Sequence, residues 1–300
     1  MPHWFLSTRA HSHGGPVAPV KVLDSDRPGW PYDLTQELLS AIQGREVFFA
    51  THGYEVNQDG GIASLNGWLD NLQIGSAVPI GILWPGDCVI PIFVDYVLEG
   101  RDAISSGKEL AVYLNKNFTG TASVSFASHS LGARVVLQTI SGLSNNVRVR
   151  RVVLMAGAID DDCLTGEYSG ATGNMEEISV LASTCDDVLA LAYPLGNPIQ
   201  GIFDSGHPYY HAALGRTGPA QPYPSAPPLH VNWRIPTNLN FGHHDYLPSP
   251  PPPIVGTFPP TVDIPPDNGP VPPATTPPPM AIPQQWKPAW TAAFASTRYK

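Results

Sequence analysis

The stretch "SVSFASHSLGARVVLQTI", Ser123–Ile140, changes from one kind of secondary structure to another within a few residues. Its first half alternates apolar and small residues and favours a β-strand, whereas its second half repeats apolar residues at helical spacing. Between the halves stands Ser128-His129-Ser130-Leu131-Gly132, with a small residue two positions before and two after Ser130. Small residues at these positions permit a sharp strand-to-helix turn that exposes the central hydroxyl above a sheet. The stretch therefore predicts a strand, a helix and a candidate nucleophile, Ser130, at the turn between them.

The usual pattern at such a turn is Gly-x-Ser-x-Gly, and this chain has Ser128 at the first position. Serine is small enough to fit there, although its Cβ leaves less room. The alternative interpretation is an ordinary buried strand and helix joined by small residues, with Ser130 as the cap of the helix. If Ser130 is a nucleophile, the positive end of the helix dipole also stabilises the negative charge that develops beside it.

Strand-like and helix-like segments alternate along the chain as far as about residue 247. The predicted strands are 46–53, 78–86, 122–128, 150–158, 177–183 and 229–235, and the predicted helices are 101–118, 131–143 and 186–195. This alternation predicts βαβ units, a mostly parallel sheet and helices on both of its faces. Ligands bind at the carboxyl ends of the strands in such sheets, so the polar residues that directly follow strands are the candidates for a site.

The composition and net charge argue against some classes of protein. The chain has 300 residues, is 42% hydrophobic and carries a formal net charge of −9, which argues against a nucleic-acid partner. It has neither a signal-peptide pattern nor 18 consecutive apolar residues, so we expect a cytoplasmic protein without membrane insertion. Its three cysteines show no metal-like spacing and are expected to be reduced thiols.

The composition changes abruptly near residue 248. Residues 248–283 contain 16 of the 34 prolines, which rules out a sheet or a helix interior and predicts an extended spacer. We therefore predict a catalytic domain at 1–247, a proline-rich linker at 248–283 and an aromatic tail at 284–300. The alternative for the linker is a ligand for a proline-reading domain, and the tail is expected either to dock on the body or to bind a protein partner.

Seven stretches, in order, carry a resemblance to a known family. The region from about Arg45 to Tyr246 resembles an α/β-hydrolase, and it is similar in particular to a bacterial branch of hydrolases of unknown function, with lipases and esterases as wider relatives. The stretches are "FFATHGY", "GILWPGD", "DYVLEGRDAISSGKELAVYL", "FASHSLGARVVLQ", "VVLMAGAIDDD", "LASTCDDVLAL" and "GHHDYL". Together they indicate the fold and not the substrate.

A serine nucleophile needs a histidine base and an orienting acid, which follow it in the order acid, then histidine, in this fold. His243 lies after the last predicted strand and matches the family's His-x-x-Tyr, with His244 as the alternative. Asp186 matches the family's Ser-x-x-Asp-x-x-Leu, and its neighbour Asp187 has a structural explanation at a helix start. The remaining alternative acids follow the preceding strand: Asp160, Asp161 and Asp162.

His52-Gly53-Tyr54 ends the first predicted strand. The resemblance implies that the backbone N–H groups of Tyr54 and Leu131 form an oxyanion hole. Gly53 lets the backbone approach a substrate. The alternative is a histidine held in an ordinary turn with a glycine stop.

These residues predict a serine hydrolase that acts on a small-molecule or lipid carboxylic ester, without a metal or cofactor. Thioesterase, amidase or acyltransferase activity would use the same groups. The alternative from another class is a catalytically idle hydrolase body that serves as a binding or scaffold module. Two histidine pairs are weak candidates for metal ligands: His11 with His13, and His207 with His211. The second pair has i, i+4 spacing but lacks the glutamate of a His-Glu-x-x-His motif, and Pro208 disturbs a helix there.

Overall fold

A computed structural model describes residues 3–25, 34–54, 56–71, 74–87, 92–190, 212–220, 229–235, 237 and 240–246. The predicted linker at 248–283 and tail at 284–300 lie outside these residues, as do His207, His211 and most of the segment 193–228.

One eight-stranded sheet organises the described part of the chain. Its strands are β1 (Trp4–Arg9), β2 (Val17–Asp24), β3 (Glu46–Thr51), β4 (Val78–Leu83), β5 (Ser123–His129), β6 (Val149–Met155), β7 (Met175–Ser183) and β8 (Leu229–Ile235). Their order across the sheet is β2-β1-β4-β3-β5-β6-β7-β8. Only β2 pairs antiparallel, with β1, and every other pairing is parallel. The predicted mostly parallel sheet is confirmed.

Helices connect the strands and pack on the sheet. In the described part of the chain they are α1 (Thr35–Ile42), α2 (Gln58–Asn71), α3 (Ile92–Asn117), α4 (Gly132–Ser141), α5 (Ser169–Thr172) and α6 (Leu214–Thr217), and a further helical turn begins at Asp187. None of the described helices is both long enough and apolar enough to cross a bilayer.

The core lies around the central strands and α4. Phe49 of β3 and Phe126 of β5 occupy the same register position, and their rings stack 5.0 Å apart. Helix α4 is buried on nearly all its sides, including Val135 and Val136, because it lies between the sheet and α3. Burial on most sides accounts for the many apolar residues of "ARVVLQTI", and its one charged residue, Arg134, is paired with Glu167. The helix that follows the Ser130 turn is therefore held between the sheet on one side and α3 on the other.

The sequence analysis missed the first two strands. The short apolar group Trp4-Phe5-Leu6 lies in β1, which is buried between β2 and β4. Strand β2 contains Pro19, and a proline is tolerated there because β2 is the edge strand. Both strands depend on pairing partners that are distant in sequence, and neither has the long apolar run of a central strand.

Helix α3 also differs from its prediction. It begins at Ile92, nine residues before the predicted start at Arg101. Within it Val112 is 67% exposed, while Leu110 and Leu114 are buried. Val112 lies two residues from each of these core positions, which are four residues apart, so it faces a different side of the helix.

The parallel arrangement places one end of each central strand at a common edge. Thr51 at the end of β3 pairs with Ser128 near the end of β5, and His129 pairs with Met155 at the end of β6. Strand β7 ends at Ser183, which pairs with Ile235 at the end of β8. The residues that follow these strands are therefore brought together at the carboxyl edge, where the sequence predicted a site.

Candidate active site

The turn at Ser130 has the strained geometry that its sequence predicted. Ser130 has a φ of 53°, in the left-handed region that non-glycine residues rarely adopt. Its N–H donates to the carbonyl of Met155 over 3.0 Å, and its own carbonyl accepts from Ala158 over 3.1 Å. These two bonds to the segment at the end of β6 hold the backbone of Ser130 in this conformation.

Gly132 explains why a small residue must follow the turn. A Cβ at Gly132 would lie 2.5 Å from the carbonyl oxygen of His52, closer than real Cβ atoms approach. Helix α4 has Leu131 as its N-cap, with no side-chain capping bond. The interpretation of Ser130 as a capping serine is therefore not supported, because its hydroxyl points to another partner.

That partner is His243. The Oγ of Ser130 lies 2.9 Å from Nε2 of His243, and Nδ1 of the same ring lies 2.7 Å from Oδ2 of Asp186. A carboxylate only accepts, so Nδ1 carries the ring proton and Nε2 presents its lone pair to the hydroxyl. All three side chains are buried: Asp186 is 0%, Ser130 5% and His243 7% exposed. The structure brings the three predicted residues together in one hydrogen-bonded chain.

Asp186 is held by the turn that follows β7. Its N–H donates to the carbonyl of Ser183 over 3.2 Å, and its Oδ1 accepts from the N–H of Leu189 over 2.9 Å. Its carbonyl accepts from the guanidinium of Arg216 in α6 over 2.8 Å. One carboxylate oxygen is thus used by the backbone, which leaves Oδ2 directed at His243.

The loop that carries His243 is fixed at several points. The hydroxyl of Ser183 donates to the carbonyl of Phe241 over 2.6 Å, and the carboxylate of Asp245 accepts from Gly242 over 2.7 Å. The carbonyl of His243 itself accepts from Nε2 of His129 over 2.7 Å. Tyr246, the aromatic residue of the predicted His-x-x-Tyr motif, is buried edge-on against Phe241.

The alternative candidates for the base and the acid do not belong to this chain of hydrogen bonds. His244 is exposed, and its ring is 5.2 Å from that of His243. Asp187 begins a helical turn, as its structural explanation required. Asp160 forms a bridge with Ala213, the N–H of Asp161 donates to the carbonyl of Ala212, and the carbonyl of Asp162 accepts in a local turn. His243 pairs with Asp186 and with none of these acids.

His52-Gly53-Tyr54 lies against the Ser130 turn. A Cβ at Gly53 would be 2.9 Å from the Cβ of Ser130, so only glycine permits this approach. Nδ1 of His52 donates to the carbonyl of Gly53 over 2.8 Å, and Nε2 accepts from the N–H of Trp84 over 3.3 Å. Because the Gly53 carbonyl is turned to His52, the N–H of Tyr54 in the same peptide points the opposite way.

Trp84 completes the support of this segment. Its indole N–H donates to the carbonyl of His52 over 3.0 Å, and the two rings stack 5.6 Å apart. Burial lowers the pKa of His52 to about 4, so the ring is neutral at pH 7. A neutral ring keeps one donor and one acceptor nitrogen, as the two bonds of His52 require.

Leu131 provides the second N–H of the predicted oxyanion hole. It directly follows Ser130, at the first turn of α4, where backbone N–H groups have no acceptor within the helix. Its N–H and that of Tyr54 come from segments packed on the same turn. The arrangement resembles a pair of donors beside a nucleophile, and an oxyanion role for both groups stays a prediction.

The model of an α/β-hydrolase family of unknown function, DUF900, matches residues 33–215, more than half of the chain. The chain belongs to this family. The expected α/β-hydrolase fold and the resemblance to hydrolases of unknown function are thereby confirmed. The matched region contains Ser130 and Asp186 and ends before His243.

This DUF900 member is similar to a solved structure of an uncharacterized protein from Bacillus cereus, with 16% sequence identity and a TM-score of 0.40. The similarity covers 67% of this chain and 55% of that one, so the chain spans about half the length of that protein. No curated protein matches the chain.

Three residues that contribute to the site were not singled out by the sequence analysis. Trp84 and Arg216 act through the carbonyls of His52 and Asp186, and His129 acts through the carbonyl of His243. The first had a signal, since Trp84 lies near the end of a predicted strand. Arg216 had none, because a bond to a backbone carbonyl leaves no motif.

Among the described residues, no three or more histidine, cysteine, aspartate or glutamate side chains form a group suited to a metal ion. Of the cysteines, Cys163 and Cys185 are free thiols, and Cys88 lies outside the described part of the chain.

Proposed function

We propose that this protein is a serine hydrolase that cleaves carboxylic esters through Ser130, His243 and Asp186. The observation that carries the proposal is the buried hydrogen-bonded chain from the Ser130 hydroxyl through His243 to Asp186. It lies at a serine with φ of 53°, at the carboxyl edge of an α/β-hydrolase sheet. This arrangement activates a hydroxyl for attack on a carbonyl carbon.

In the first half of the reaction, Oγ of Ser130 forms a bond to the carbonyl carbon while its proton passes to Nε2 of His243. Asp186 holds the ring and balances the charge of the imidazolium. The N–H groups of Tyr54 and Leu131 stabilise the tetrahedral oxyanion. The bond to the alkoxy oxygen then breaks, and His243 returns the proton to the departing alcohol.

In the second half, a water molecule gives its proton to His243 and adds to the acyl carbon. The bond between that carbon and Oγ of Ser130 breaks, the serine recovers its proton, and the carboxylic acid leaves. Each half transfers one proton to His243 and one from it. Apart from the ester and this water molecule, every group that takes part belongs to the chain itself.

Replacing the nucleophile tests the proposal. Ser130→Ala should lower kcat on an activated short-chain p-nitrophenyl ester by about 10⁶-fold, because base and acid act only through the serine. The matched control is Ser141→Ala at the exposed end of α4, which should keep wild-type turnover. A panel of p-nitrophenyl esters of increasing acyl length then defines the preferred substrate.

Labelling distinguishes the enzyme from an idle hydrolase body. A fluorophosphonate probe should modify the wild-type protein at Ser130 and leave Ser130→Ala unmodified. A wild-type protein that takes no label and hydrolyses none of the esters would contradict the proposal and favour a binding or scaffold role. Equal activity of wild type and Ser130→Ala would instead show that any esterase activity arises at another site.

A further inference from the structure

We propose that His129 is a positioning residue that holds the loop of His243 in register with Ser130, through a hydrogen bond to the backbone carbonyl of His243. The inference rests on the proposed function and adds to it a residue outside the Ser-His-Asp set. It assigns a role to the variable position of the Ser-x-Ser-x-Gly turn, immediately before the nucleophile.

The geometry of the bond defines the state of the ring. Nε2 of His129 lies 2.7 Å from the carbonyl oxygen of His243, and a carbonyl only accepts, so Nε2 carries the proton. The other nitrogen, Nδ1, is then unprotonated and faces Gly53, where an added Cβ would approach it to 3.0 Å. His129 is only 4% exposed, so its ring is enclosed by its neighbours.

The anchor of this bond is rigid. His129 is the last residue of β5 and pairs with Met155 of β6, so its backbone belongs to the middle of the sheet. The next residue is Ser130, whose position is set by the same strand end. One side chain thus connects the strand that presents the nucleophile to the loop that presents the base, across 114 positions of sequence.

The histidine also suits the charge that catalysis places beside it. Its ring lies 4.7 Å from that of His243, which becomes an imidazolium in the proposed reaction. Burial, and next the charge of His243, hold the pKa of His129 well below its ordinary value. A neutral donor supports the loop without repelling that imidazolium, whereas lysine or arginine would place a permanent positive charge next to it.

Other hydrogen bonds hold neighbouring parts of the loop, among them the bond from Ser183 to Phe241 and the bond from Gly242 to Asp245. Among the described residues, only the bond from His129 acts on the main chain of His243 itself. Loss of this bond should let the imidazole drift from Oγ of Ser130, and a misplacement of about 1 Å can cost 10²-fold in rate.

The test compares two replacements of His129. His129→Leu removes the donor and should lower kcat by about 10²-fold with little change in KM, and should slow fluorophosphonate labelling by a similar factor. His129→Gln keeps an N–H donor on a side chain of similar reach and should recover most of the loss. His13→Leu, the same substitution at an exposed histidine, should behave as wild type in all three measurements.

A double-mutant cycle separates positioning from general loss of stability. In a His243→Ala background, adding His129→Leu should change the residual kcat less than twofold, because the base through which His129 acts is already gone. Thermal unfolding of each variant, followed by circular dichroism, verifies that the rates refer to folded protein. If His129→Leu does not fold, the comparison of His129→Gln with wild type decides, since it should keep kcat within about tenfold.

The outcomes are distinct. A labelled wild type with unchanged kcat in His129→Leu overturns this inference and leaves the proposed function standing. The same 10²-fold loss in the His243→Ala background overturns it too, since it would show an action that does not pass through the base. A wild type that takes no label overturns the proposed function and this inference with it.

Discussion

At the turn that carries Ser130, Ser128 stands where the usual pattern has glycine. The side chain of Ser128 is fully buried, and its hydroxyl has no hydrogen-bond partner among the described residues. The turn therefore accommodates a Cβ at this position, and the cost of the substitution lies in the polar oxygen rather than in crowding. A buried hydroxyl without a partner costs about 1–3 kcal/mol.

Ser128→Ala should accordingly raise the free energy of unfolding by about 1 kcal/mol, because it removes the oxygen and keeps the Cβ. Urea denaturation followed by circular dichroism measures the change. Ser183→Ala is the matched control: this serine is equally buried, but its hydroxyl donates to Phe241 and accepts from the N–H of Cys185. It should lose about 1–2 kcal/mol, and a stabilised Ser183→Ala would contradict the argument.

At the scale of elements, the decisive contact is between the start of α4 and the end of β3. The carbonyl of His52 occupies the space that a side chain at Gly132 would need, and that carbonyl is itself bound by the indole of Trp84. Neither partner can retreat easily, since one is backbone and the other is buried. The distance between strand and helix, and with it the position of Ser130, therefore depends on Gly132.

Gly132→Ala should lower the free energy of unfolding by about 1–3 kcal/mol through overpacking. It should also reduce kcat, since a shift of α4 moves the N–H of Leu131 away from the proposed oxyanion site. Gly170→Ala in α5 provides the control, because an added Cβ there meets open space. Chemical denaturation and ester turnover of both variants should separate them, and equal stability of the two would show that the contact is easily relieved.

At the scale of the whole molecule, buried neutral histidines make the fold sensitive to acid. His52 and His129 both have pKa values below the ordinary 6.5, because burial disfavours the charged ring. The unfolded chain binds protons on these residues near pH 6.5, whereas the folded chain does so only at lower pH. Folding is therefore favoured less as the pH falls, and the stabilisation by the neutral rings is complete only above about pH 6.5.

For His52, whose pKa is about 4, the loss of unfolding free energy between pH 6.5 and pH 4 should reach about 3 kcal/mol. His52→Gln removes this titration, so its unfolding free energy should fall less steeply over the same interval. His13→Gln at an exposed site should leave the slope of the wild type unchanged. Denaturant titrations at several pH values measure the slopes, and parallel curves for His52→Gln and wild type would rule out His52 as the titrating group.

Much of the architecture could be predicted from local pattern. The strands from β3 to β8 are marked by apolar runs, and the helix after Ser130 by its spacing, because burial in a parallel sheet imposes these patterns directly. Strands β1 and β2 could not be found in this way, since a short strand and an edge strand with Pro19 owe their conformation to pairing partners far along the chain. The start of α3 at Ile92 was missed as well.

For the site, the sequence by itself determined the residue types and their order: a serine at a strand-to-helix turn, an aspartate after a later strand and a histidine after the last. Only the tertiary structure decided that Asp186 rather than Asp160–Asp162, and His243 rather than His244, are joined to Ser130 by hydrogen bonds, of 2.7 and 2.9 Å. It also decided the supporting contacts of His129, Trp84 and Arg216, which bind backbone carbonyls. The physical reason is the same throughout: a buried strand leaves a local pattern because burial acts on each residue, whereas a hydrogen bond between distant residues depends on where the folded sheet places both ends.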